Sequence, residues 1–144
     1  MKTVYSLSED LNYNPKKVEL TQARTLDNRS LPGGLKGIYG LFGSDEWWHN
    51  ISKEVIPVTR LRGMVTKIYH EGMQNEGLGF EMEVSDGSTF RYSCVVNERC
   101  NLKLYQVGKR ITFEYATEPL KNPIATPNGY ETTTRITLKV ELES

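Results

Sequence analysis

The chain has 144 residues, 38% of them hydrophobic and 25% charged, with 18 basic residues balanced by 18 acidic ones. This is the size of one ordinary domain with a real core, and the composition excludes a disordered tail. No apolar run approaches the ~20 residues of a membrane span, and the zero net charge excludes a bulk electrostatic drive toward nucleic acid or anionic membrane.

In the first 57 residues the local signals are sparse. Met1–Asp10 carries no apolar stretch of the kind that directs secretion, so a cytoplasmic location is expected. Asn14-Pro15-Lys16-Lys17 reads as a turn, Val18-Glu19-Leu20 as a short strand and Leu31-Pro32-Gly33-Gly34 as a loop. From Gly34 to Gly43 a glycine recurs every third residue among Leu35, Ile38, Tyr39, Leu41 and Phe42. The strip lacks the endings of phosphate or dinucleotide loops. It is either a flexible apolar strip that docks on a partner or one packed on the body of the protein, its glycines permitting close approach. Ser44 followed by Asp45 and Glu46 is an N-cap with two early acids, predicting a short helix through Trp47 and Trp48 to about Lys53. Pro57 ends the segment.

The remainder reads as strands. In Val58–His70, Leu61, Gly63 and Val65 alternate with Arg60, Arg62 and Thr66, and Gly63 suggests a bulge or sharp coil. Phe80, Met82 and Val84 alternate with Glu81 and Glu83 before the turn Asp86-Gly87, and Phe90, Tyr92, Cys94 and Val96 alternate on the return. Asn97 and Gly108 bracket a short helix, with Asn97 as its cap. Ile111, Phe113 and Tyr115 line one face of the next strand. Pro119, Pro123 and Pro127 predict an edge or loop, Asn128-Gly129 a tight turn, and Thr133–Leu142 a last strand with Ile136, Leu138, Val140 and Leu142 on one face.

Strand, loop, strand, tight turn, strand, helix, strand, loop, strand is an order that resembles the OB-fold over residues 58–142. The phrase Tyr105-Gln106-Val107-Gly108-Lys109-Arg110-Ile111-Thr112-Phe113 is similar to the helix-to-strand corner of such barrels. The resemblance implies a mainly β protein: a five-stranded closed OB-like barrel with one short helix over residues 58–144, and an N-terminal extension, 1–57, of loops and a short helix packed on or beside it.

Candidate chemistry is thin. Cys94 and Cys100 do not have C-x-x-C spacing and read as reduced thiols. His49 and His70 are the only histidines, too few and too scattered for a metal site, and no nucleophile elbow or cysteine-protease signature is present. Glu81 and Glu83 read as a solvated strand face with Arg91 as a cross-strand partner for one of them. Asn28-Arg29-Ser30 and Asn50-Ile51-Ser52 match the glycosylation pattern by coincidence.

Charge is zoned. Residues 53–70 carry four basic residues against Glu54, a local +3; residues 71–90 carry five acids and no base; residues 91–121 return to +3. A single-strand nucleic-acid surface on an OB-like barrel needs cations and exposed aromatics. The second strand and first loop offer Glu71, Glu76, Glu81 and Glu83 instead. Nucleic-acid binding through Arg60, Arg62, Arg99, Lys103, Lys109 and Arg110 is therefore the second reading. The first is a non-catalytic binding module, without cofactor or metal, that docks a protein partner or another copy of itself through Tyr39, Phe42, Trp47 and Trp48, since aromatics bury large areas at low entropy cost.

Overall fold

A computed structural model describes residues 1–74 and 76–144. The fold is mainly β, but the expected closed five-stranded barrel does not form. The described residues make seven strands: β1 (Lys2–Ser6), β2 (Gly33–Leu35), β3 (Val58–Glu71), β4 (Gly77–Val84), β5 (Thr89–Ser93), β6 (Arg110–Thr126) and β7 (Gly129–Leu142). Their order is β1-β7-β6-β3-β4-β5, with β2 pairing β6 off this path. The strands read from residue 58 onward thus lie in the order β7-β6-β3-β4-β5, and closing them would require β7 to meet β5. Instead β1 takes the edge of β7 in antiparallel register, Lys2 opposite Leu142 and Ser6 opposite Lys139, so the sheet stays open.

The chain forms two compact units. The first comprises Met1–Asp10, Arg60–Glu114 and Thr137–Ser144. Its core gathers Val4, Val65, Phe80, Met82, Ile111, Phe113, Val140 and Leu142, all at or near complete burial. These are the positions that two-residue alternation assigns to one sheet face. Phe90, Tyr92 and Phe80 pack their rings on Phe113 at centroid distances of 5.1, 5.1 and 6.0 Å, so the return strand serves the core as expected. Glu81 lies opposite Arg91 in the β4–β5 register, and their side chains pair at 2.7 Å.

Two sequence expectations fail here for local reasons. Asn97 does not cap the helix that follows. Its side chain accepts from Ser6 N at 2.7 Å and donates to Ser6 O at 3.1 Å, while its own N–H donates to Val4 O, so it serves β1 as a piece of strand would. The helix is a 3-10 turn, Arg99–Leu104, preceded by Glu98. The irregularity in β3 falls between Val65 and Lys67 rather than at Gly63. Gly63 instead marks a close backbone approach: a Cβ there would lie 2.0 Å from the carbonyl oxygen of Glu83.

The second unit comprises Leu11–Thr59 and Tyr115–Ile136. Asn14-Pro15 is a helix start, not a turn before a strand. Helix α1 (Leu7–Tyr13) is followed by α2 (Pro15–Leu26) with proline at its first position, where its missing N–H costs nothing, and Val18–Leu20 lie within α2. Lys121 Nζ donates to the carbonyls of Thr25 and Asp27, placing a cation on the helix C-terminus. Helix α3 (Asp45–Ser52) begins as the sequence indicates, with Ser44 Oγ accepting from Trp47 N at 3.2 Å.

The proline-rich stretch is strand rather than loop. Pro119 and Pro123, four residues apart in β6, turn the same way, so both missing donors face one edge. Three-residue β2 lies along that edge, and Pro119 contributes the group it retains, its carbonyl, to Lys36 N at 3.2 Å. Pro127-Asn128 makes the turn into β7.

Gly63→Ala should destabilise the protein by about 1–3 kcal/mol, because the methyl meets backbone that cannot rotate away. Urea unfolding checks this; unchanged stability would show that β3 and β4 separate there at no cost.

Candidate functional site

Of the four aromatics expected to meet a partner, the structure buries two. Trp47 is fully buried and Phe42 nearly so, their rings edge-on at 4.9 Å. Both pack in the core of the second unit, because α3 places Trp47 on its inward face. Trp48, about 100° around the helix, is half-buried and packs edge-on against Trp47 at 4.9 Å. Tyr39 is also half-buried, its carbonyl accepting from Asn50 Nδ2.

Trp47 has an unusual partner. Its indole N–H donates to Glu118 Oε2 at 3.0 Å, and Glu118 is 1% exposed. Burial pushes the Glu118 carboxyl above its ordinary value, and the indole bond opposes this only in part.

The glycine-spaced strip resolves to its packed reading. Gly34, Gly37, Gly40 and Gly43 all have φ between +73 and +97°, a region that side chains disfavour. A Cβ at Gly37 would sit 2.8 Å from Thr25 Cγ2, and one at Gly40 3.0 Å from Glu46 Cγ. The strip lies against α2 and α3.

What the second unit leaves open is a depression of about 710 Å³ between α2, β2 and the β6–β7 hairpin. Leu35, Phe42 and Leu120 line it and are themselves almost buried, whereas Leu20 and Ile124 are 62% and 37% exposed. Arg24 and Arg135 also line it. Arg24 donates to Pro32 O, and Arg135 lies over the Tyr115 ring, 5.1 Å from its centroid. Among the described residues, none of the lining side chains is acidic.

The six cations of the second reading all belong to the first unit. Arg62 and Arg110 line a depression of about 660 Å³ that also contains Glu83. Arg110 pairs with Glu143 at 3.1 Å and Arg60 with Glu114 at 3.5 Å. Arg99 and Lys103 lie on the 3-10 turn, and Lys109 precedes β6. Arg60, Arg62 and Arg110 thus each lie beside a carboxylate, which a surface selecting a phosphate backbone disfavours.

His49 lies on α3 and His70 on β3, both exposed. Among the described residues no three His, Cys, Asp or Glu side chains gather in a way that could hold a metal ion, and no helix is long and apolar enough to cross a membrane. Both cysteines are free thiols. Cys94 is buried and its thiol pushed up to about 12, chiefly by burial and secondarily by Glu71; Cys100 is exposed.

A family model described as immunity protein RhsI2 matches residues 1–143. The chain belongs to this immunity protein family. No curated protein matches it.

For a member of this family the surface that matters is one that meets another molecule, and sequence reading missed the depression between α2, β2 and the β6–β7 hairpin. The signal was there: Pro15 followed by Lys16–Arg24, mostly good helix formers, places Leu20, Thr21 and Arg24 on one helical face. Reading Val18–Leu20 as strand hid that face.

Trp47→Ala should cost about 3–5 kcal/mol of stability, and Trp48→Ala about 1 kcal/mol, as read by chemical denaturation. Glu118 has a raised carboxyl, so its stabilising contribution is present below the ordinary value of 4.5 and is lost as pH rises through the native one. Relative to Glu118→Gln, which keeps an acceptor for the indole, the wild type should lose stability as pH rises above about 4.5; parallel pH profiles would refute this. Iodoacetamide should alkylate Cys100 in the native protein and spare Cys94 until unfolding, which mass spectrometry reads directly.

Proposed function

We propose that the protein is a non-catalytic immunity protein that neutralises a toxin by binding it. The observation that carries this reading is the family match, which runs over residues 1–143 and so takes in both compact units. The physical character of the surface supports it. Exposed large apolar side chains in the second unit include Tyr13, Leu20, Leu26, Ile38, Val55, Ile124 and Tyr130. Such side chains concentrated on one compact body suit a protein partner. Trp48 and Tyr39, half-buried on the scaffold made by Trp47 and Phe42, remain candidate contacts; the two buried rings act by holding that scaffold rigid.

Inhibition by occlusion needs no nucleophile or metal in the inhibitor. It needs only a tight, complementary and rigid surface. Neither nucleic-acid binding nor self-association has an observation in its favour comparable to the family match.

The test is titration calorimetry with the cognate toxin domain carrying an inactivating substitution. A one-to-one complex with Kd of about 10 nM or tighter is expected. Absence of binding at micromolar concentrations would overturn the proposal, as would protection of cells in which the two proteins form no complex. Labelled single-stranded oligonucleotides should show no binding at about 150 mM salt.

A further inference from the structure

We infer that the depression between α2, β2 and the β6–β7 hairpin is where the partner docks, and that it receives a segment presenting an apolar side chain beside an Asp or Glu. The inference rests on the reading of the protein as a toxin-binding immunity protein, and names the chemistry of the contact.

Shape and lining give the apolar half. The volume, about 710 Å³, lies within the range of ~300–1,000 Å³ that small-molecule sites span, enough for one large side chain and its neighbours. Leu35, Phe42 and Leu120 are held by the core behind them, so the lining offers a firm apolar surface. Leu20 on α2 and Ile124 on β6 are exposed beside it, apolar area that a partner would remove from water.

Charge gives the other half. Two guanidinium groups line the depression, and none of its described lining residues carries an opposing charge. Both guanidiniums are held in place. Arg24 lies across Gly34, where a Cβ would come within 3.1 Å of its Cγ, and it hydrogen-bonds Pro32 O; Arg135 stacks on Tyr115. An oriented guanidinium loses little freedom on gripping a carboxylate and sheds its hydration readily. The neighbouring cation, Lys121, is turned instead onto the carbonyls that end α2. Glycine at position 34 is what admits the Arg24 side chain. The depression of the first unit makes no such selection, because Arg62 and Arg110 share it with Glu83.

The experiment uses the full chain and the inactivated toxin domain. Leu20→Asp with Ile124→Asp places carboxylates where the partner's own should approach, without removing any buried side chain. Arg24→Gln with Arg135→Gln removes the charge. Each pair should weaken binding by about tenfold or more, with thermal unfolding unchanged for the first pair. Lys53→Glu, exposed on another part of the second unit, should bind as the wild type does. Hydrogen exchange on the complex should protect α2 and the β6–β7 hairpin. If the wild type binds and both double variants bind equally well, the location is wrong although the protein is still a toxin binder. If the Leu20→Asp, Ile124→Asp pair weakens binding but the Arg-to-Gln pair does not, the site is apolar only and the acidic partner segment is refuted. If the wild type binds no toxin, the functional reading falls and this inference with it. A fatty acid such as oleate occupying the depression while leaving toxin affinity unchanged would also overturn it.

Discussion

The edge of β7 can be paired only once. Hydrogen bonding along a strand edge is saturable, and β1 occupies that edge from Lys2 to Ser6. This single pairing separates the structure from a closed barrel made of its later strands. It also explains the environment of Asn97. The outward edge of β1 would expose the backbone groups of Val4 and Ser6, and Asn97 meets them with its own N–H and with both ends of its amide. One side chain thus blunts an edge that would otherwise invite another chain.

In the second unit the organising pair is Trp47 with Glu118. A buried indole needs an acceptor and a buried carboxyl needs a donor. Each meets the need of the other, one from a short helix and one from a strand 71 residues later in the chain. Phe42 and Trp48 then each pack edge-on against the Trp47 ring. The glycine-spaced strip reaches this cluster by taking a positive φ at each glycine, which is why it can pass so close to α2 and α3. The open depression is adjacent to this frame and borrows its rigidity through Phe42.

What could be read from the sequence was local. Alternation in β4 and β5, the Asp86-Gly87 and Asn128-Gly129 turns, the Ser44 cap and the Arg91–Glu81 pair each depend on residues close in sequence or directly across a hairpin, and each was legible. The departures depend on pairing between distant segments. Nothing in Lys2–Ser6 announces that it will pair with residues 139–142, since five residues of mixed polarity carry almost no periodicity. The prolines of β6 left an edge strand and a loop both open, and the strand tolerates them because both face an edge that asks for only a few hydrogen bonds. The aromatics Trp47 and Phe42 stand out in the sequence, and the structure buries both, whereas the exposed Leu20 and Arg24 lie on α2, a face concealed by reading that helix as turn and strand.

The far end of the β6–β7 hairpin has a consequence for how related chains can vary. From Pro127 to Thr133 every residue is exposed, and Tyr130 is 75% so. This end holds no core, so its length is not constrained by packing. Register constrains it differently. Adding one residue to a single strand would turn Arg135, Ile136 and Thr137 to the opposite face, whereas adding two to each strand preserves the alternation of all of them. Longer and shorter hairpins among homologues should therefore differ in even steps per strand, each step moving the tip by about 6–7 Å while the residues nearer the core keep their places.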